Sequence, residues 1–211
     1  RWNYLVWICR WLGYGLMPLG ANKAALFGVA GVSTGTSILL ATGVASSSAS
    51  LTFTLPTIYK QVVFGFYNVA AATDGAMLTF QVNAAGGSGF SETMTTTNFT
   101  VYHTPTDSHA ALAYQAASDQ AQGTGYQSLC EGISNDADHS AAGILNLFNP
   151  ASTTYVKNFY STVQYAASWQ NAVTTQRVAG YINTATNLSE INFKMNSGNI
   201  ASGTIKMWGV L

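Results

Sequence analysis

From Ser50 to the C-terminus, apolar and polar residues alternate with a period of two, in short runs closed by Gly, Pro, Asn or Asp. This constrains the fold more than any other feature. A period of two lines one face of a β-strand and cannot line one face of a helix. Residues 51–55 alternate and stop at Pro56. Residues 61–67 form a second run, and residues 77–82 a third after the turn pair Asp74-Gly75. Further runs fall at 98–102, 126–130, 143–148, 154–165, 172–181, 190–195 and 204–208. The turn Asn196-Ser197-Gly198-Asn199 separates the last two. Residues 108–122 are rich in Ala and Gln and are expected to form a helical turn or two.

Nine or ten short strands with no long helix indicate an all-β protein, an antiparallel β-sandwich or jelly roll. The expected core is Phe53, Leu55, Val63, Phe80, Val82, Leu145, Leu147, Phe159, Val178, Ile191, Phe193, Ile205 and Met207. No repeat of fixed period is visible, which argues against a solenoid or propeller.

Residues 1–50 read differently, as an apolar N-terminal anchor arm and linker ahead of a body at 51–211. The first twelve residues hold Trp2, Trp7 and Trp11, but Arg10 interrupts them and Gly13 and Gly15 follow. A membrane-spanning helix needs about 20 apolar residues with few charges, so this is a poor span. It also lacks the features of a good signal peptide. Met17 would serve as a natural start, so residues 1–16 read as a processed remnant or an upstream extension. Exposed on a lone protein, such a stretch is an aggregation hazard, and burial against a partner removes the hazard. The expected partner anchors are Trp2, Trp7, Trp11, Leu19, Leu26 and Phe27. Residues 29–50 are small and flexible in composition, with Ile38, Leu39 and Leu40 as a further anchor or an added strand.

Charged residues make up only 8% of the 211, against roughly 25% in ordinary soluble proteins. A polar but uncharged surface has little self-repulsion, so association comes easily. Arg1, Arg10 and Lys23 give the first fifty residues +3, while five basic residues and all eight acids leave the body at −3. Neither part has the basic run that a phosphate backbone requires, which argues against nucleic-acid binding. Cys9 and Cys130 stand far apart without a CxxC or Cys/His spacing, so neither a disulfide framework nor a zinc site follows.

Candidates for chemistry are few. Asp107, Ser108 and His109 contain the residue types of a hydrolase triad, but as sequence neighbours and without a GxSxG elbow. The stretch 131–139 gathers Glu131, Asp136, Asp138 and His139. Oxygen-rich loops of this type can hold Ca²⁺, yet the EF-hand spacing is missing, so Glu131, Asp136 and Asp138 are weak metal candidates in what reads first as a solvated loop. No phosphate loop, dinucleotide fingerprint or cofactor motif is found. Tyr114, Tyr126, Tyr155, Tyr160, Tyr165, Trp169 and Tyr181 could stack on sugars, though in a β-protein such rings more often serve packing.

Several segments are similar to a known group. Phe66-Tyr67-Asn68-Val69, the run from Thr73 to Phe80, and Leu147-Phe148-Asn149-Pro150 with Thr153-Thr154-Tyr155 resemble a β-sandwich domain common in bacteriophage virion proteins. So does the ending from Ser197 to Gly209, which is the most specific of these. Met17 to Gly31 is similar to the short N-terminal attachment segments of such proteins, and residues 1–16 fall outside the pattern. The resemblance implies a non-enzymatic virion protein, a decoration, cement, fibre or tail-associated component. It further implies a homotrimer that meets capsid or tail subunits, and it supplies no catalytic residue. The competing expectations are an adhesin that offers loops 84–91 and 104–125 to host carbohydrate, and a glycan hydrolase needing two carboxylates across one groove.

Overall fold

The structure, a computed structural model, describes residues 37–211. The expected anchors Trp2, Trp7, Trp11, Leu19, Leu26 and Phe27 lie outside the described residues, as does Cys9. Among the described residues there is no helix, and the chain forms two antiparallel sheets.

Thirteen strands follow in order. They are β1 (Ser37–Ser48), β2 (Leu51–Thr54), β3 (Gln61–Ala71), β4 (Leu78–Ala84), β5 (Met94–His103), β6 (Ala110–Tyr114), β7 (Ala121–Gly123), β8 (Gln127–Ser128), β9 (Ala141–Phe148), β10 (Lys157–Ala166), β11 (Val173–Ile182), β12 (Leu188–Met195) and β13 (Ile200–Val210). The small sheet has the order β2-β12-β4-β8. The large sheet runs β1-β13-β3-β9-β10-β11-β5-β6, with β7 also paired to β5.

Eight of these strands make a jelly roll. Going along the chain, β1, β2, β3, β4, β8, β9, β12 and β13 switch sheets at every step except from β4 to β8, which are neighbours in the small sheet, and β1-β13-β3-β9 faces the equivalent order β2-β12-β4-β8. That is the double-sheet arrangement expected from the sequence. The other five strands are two insertions. β5 to β7 enter between β4 and β8, and β10 with β11 enter between β9 and β12. Together they extend the large sheet well beyond the small one.

The core lies between the sheets. Phe64 and Phe66 of β3, Phe53 of β2, Phe80 of β4 and Phe193 of β12 are buried and meet at ring-centroid distances from 5.2 to 6.4 Å. Tilted and edge-on pairs of this kind add about 0.5–1.5 kcal/mol each beyond area burial. Phe159 carries the cluster into the insertion, 5.0 Å from Phe80.

Twelve of the thirteen expected core residues are buried. Val63 is the correction. In the uninterrupted apolar run Val62-Val63-Phe64 either parity is possible, and β3 turns Val62, Phe64 and Phe66 inward, leaving Val63 half-buried on the opposite face.

The linker reading of residues 29–50 gives way from Ser37 onward. β1 pairs with β13 from Ser37↔Val210 to Ser48↔Ile200. Asn199 fastens its end, donating from Nδ2 to the Ser47 carbonyl at 2.9 Å. Ile38 and Leu40 pack against this chain's own core, whereas Leu39 points outward and is 51% exposed. Small residues suit the close approach here: a Cβ on Gly43 would stand 2.9 Å from the Phe53 ring. Residues 110–114 and 121–123, in and at the end of the segment expected to turn helically, are strands because β5 offers an open edge to pair with.

Candidate functional site

Two features of the body stand apart from ordinary packing: the outward face of the large sheet and a cleft built by the insertions.

The outward face follows from strand parity. Leu39 lies opposite Trp208, Trp208 opposite Val63, and Asn146 opposite Tyr160. One row over, Lys206, Gly65, Ile144, Thr162, Arg177, Phe99 and Tyr114 are successive partners across the sheet. The Trp208 indole lies across Gly65, where a Cβ would approach Cζ3 to 2.8 Å. Its edge-on contact with Tyr67 has a centroid distance of 6.3 Å, and Lys206 Nζ sits 5.6 Å above the Tyr67 ring. Leu39, Val44, Tyr67, Phe99, Val101, Leu112, Tyr114, Ile144, Tyr160 and Val173 all belong to this face and are exposed. Exposed apolar side chains gathered on one face are a feature that interaction surfaces share.

The cleft has a volume of about 390 Å³. Its walls come from β5 (Thr100, Tyr102), the segment after β6 (Gln115), the β10–β11 region (Tyr165, Trp169, Thr174) and two jelly-roll connections (Gly75, Met77, Glu131, Gly132). Trp169 is presented by a tight turn whose central residues, Gln170 and Asn171, both have left-handed backbone angles of 52° and 50°. Two such φ values match the turn type that suits the twist of a hairpin, and for non-glycine residues they carry a local cost. The indole meets Tyr102 at 87° and 4.9 Å between centroids, and 41% of Trp169 stays exposed.

Polar groups line the floor. The Tyr165 hydroxyl accepts from the Glu131 backbone N–H at 3.1 Å and donates to Gln176 Oε1 at 3.3 Å. Burial, followed by the nearby Cys130, holds its pKa above the ordinary tyrosine value. Gln176 in turn donates to Asn98 at 2.9 Å, part of an uncharged buried network behind the cleft. Glu131 Oε1 and Thr174 Oγ1 are buried without a hydrogen-bond partner. The Tyr165 hydroxyl is close enough to Thr174 for the two groups to feel each other, but not in hydrogen-bonding geometry.

A second cleft, about 540 Å³, lies by Tyr126, Asp119, Gln120 and Lys194. There the chain covers its own aromatic ring, because Lys194 Nζ stands 4.0 Å above Tyr126.

The weak metal candidates are not brought together. Glu131 belongs to the aromatic cleft, while Asp136 and Asp138 flank His139 at 3.6 and 3.9 Å. No cluster of three or more His, Cys, Asp or Glu side chains placed to hold a metal ion occurs among the described residues. The triad residues are also mispaired. His109 contacts Ser108 at 3.0 Å, but Asp107 pairs with His103 at 2.9 Å, so the acid orients the wrong imidazole.

Of the aromatic rings singled out in the sequence, Tyr165 and Trp169 meet at the cleft, Tyr114 and Tyr160 lie on the outward face, and Tyr155 lines a third cleft. Tyr102, Gln115 and Thr174 were not legible as site residues, since the pairing of β5 with β11 makes Tyr102 and Thr174 neighbours and the pairing of β5 with β6 brings in Gln115. No protein-family model, curated protein or solved structure matches the chain.

Proposed function

We propose that this chain is a structural protein of a bacteriophage particle, in which the residues before Ser37 dock on capsid or tail subunits. The jelly-roll body projects as a decoration or cement protein and associates with its own copies as a homotrimer. The outward sheet face carries the reading. Ten of the fifteen large hydrophobic side chains exposed among the described residues lie on it. A subunit that remained alone would leave this face in water. Burial against a second copy removes it at roughly 25 cal/mol per Å².

Three further observations support the reading. The segments that resemble phage virion sandwiches fall on β3, β4, the end of β9 and β13, which build the jelly roll itself. Jelly rolls recur in capsid and lectin domains, an analogy of fold rather than of site. The charge-poor composition favours association,. The direct test is co-sedimentation with purified particles. The full chain is expected in the particle fraction and a chain beginning at Ser37 in the supernatant, still folded. A Ser37 chain that sediments with particles as the full chain does would overturn the docking role. The alternative placement, on tail fibres as a host-attachment module, uses the same body at a different position.

A further inference from the structure

We infer that the cleft between Trp169 and Glu131 is a binding site for a neutral saccharide, one sugar ring being held against the indole. The inference needs no assumption about where the protein is carried.

It begins with topology. The jelly roll is complete without β5 to β7, β10 and β11. Those insertions supply Thr100, Tyr102, Gln115, Tyr165, Trp169 and Thr174 to the cleft. Function commonly resides in such additions to a rigid scaffold.

The volume of about 390 Å³ is within the usual range for small-ligand sites,. Trp169 gives the cleft a half-exposed apolar ring, and Tyr102 braces it at 87°. The hairpin turn at Gln170 and Asn171 fixes the position of the indole that precedes it,. A sugar ring offers axial C–H groups to such a surface and hydroxyls around its rim.

The floor supplies the complement for those hydroxyls. Thr174 is 3% exposed and its hydroxyl has no partner, a condition that buried polar groups rarely tolerate,. No hydrogen bond or ion pair reaches the Glu131 carboxylate among the described residues. Glu131 is half-buried and lines the cleft, where its carboxylate can accept from a ligand hydroxyl. Gln115 is held by its donation to Thr100 Oγ1 at 2.8 Å.

Charge selects the class. Glu131 is the only ionisable carboxylate or cation in the lining, and no Lys or Arg accompanies it. Sialic and uronic acids or sulfated sugars would meet like charge without compensation. A quaternary ammonium is held by several ring faces converging on it, whereas in the edge-on Tyr102–Trp169 pair the edge of one ring lies against the face of the other.

The test is binding of the full chain to an array of neutral hexoses, N-acetylhexosamines, deoxyhexoses and their oligomers, followed by titration calorimetry on the hits. Saturable binding is expected, weakened at least tenfold by Trp169→Ala and several-fold by Glu131→Gln. Tyr155→Ala, outside the cleft, should leave it unchanged. An array without any saturable hit would overturn the site, as would binding indifferent to Trp169→Ala. Preference for acidic sugars or for a tetramethylammonium probe would also overturn it. None of these results bears on co-sedimentation with particles, so the two readings fail separately.

Discussion

Leu39 lies directly opposite Trp208 in the β1–β13 ladder, and both side chains point away from the core. The strand that follows the apolar N-terminal segment is therefore at once an outer wall of the jelly roll and the rim of its exposed apolar face. On the proposed function, one edge strand would serve both attachment and association.

A chain beginning at Ser37 keeps all eight jelly-roll strands and should match the full chain in denaturant midpoint. A chain beginning at Ala49 loses β1, uncovers β13 and removes Ile38, Leu40, Ala41 and Ala45 from the core region. It should lose on the order of 5 kcal/mol and aggregate. Equal midpoints for the two truncations would refute the assignment of β1 to the body.

The outward face can be tested without disturbing the core. Ile144 and Tyr160 are 43% and 44% exposed and lie in the middle of that face. Ile144→Lys with Tyr160→Lys should lower the sedimentation coefficient from trimer to monomer, while stability of the monomer changes by no more than about 1 kcal/mol. A double variant that sediments as the parent does would show that copies do not meet there.

Lys157 holds a loop. It is fully buried and Nζ donates to the carbonyls of Thr184 and Thr186 at 2.8 and 2.7 Å. Burial lowers its pKa, with Glu92 opposing the shift. Lys157→Met should cost about 1–3 kcal/mol and speed amide exchange across residues 183–187. Unchanged exchange there would mean that the loop is held by other contacts.

Cys130 makes stability depend on alkaline pH. Burial pushes its thiol from the ordinary 9.0 up to about 12, against a hydrogen bond from the Leu78 N–H. A raised folded pKa means that the unfolded chain releases the proton first. The contribution is therefore whole below pH 9.0 and lost as pH climbs toward about 12,. Tyr165, also raised by burial, adds a slope of the same sign. Urea midpoints should fall through that window, less steeply in Cys130→Ala. A variant slope as steep as the parent's would assign the loss to other groups.

Much of this architecture was legible because its signal is local. The runs at 51–55, 143–148, 172–181 and 190–195 became strands within a residue or two, since alternation and the turn residues that end them act over a few positions,. β1 was less legible. Gly43 and the serines near its end have low strand propensity, and only pairing with β13, more than 150 residues away, makes it a strand,. β6 was hidden for the same reason, as Ala-rich sequence becomes strand only beside β5.

The cleft was legible by halves. Glu131 stood out as an acid in a loop and Trp169 as an exposed ring, but alternation carries no information about which loops converge. Asp136 and Asp138, equally prominent in the sequence, turn to His139 instead.

A cryo-EM map of the purified particle would decide whether this chain is a particle protein docked through its N-terminal segment. Density for two packed sheets is expected at the particle surface, repeated around a threefold axis. The outward faces of the large sheets should be buried between copies, with residues before Ser37 threaded among neighbouring subunits. Particles whose map holds no such density, although the chain is produced in the same infection, would contradict that role.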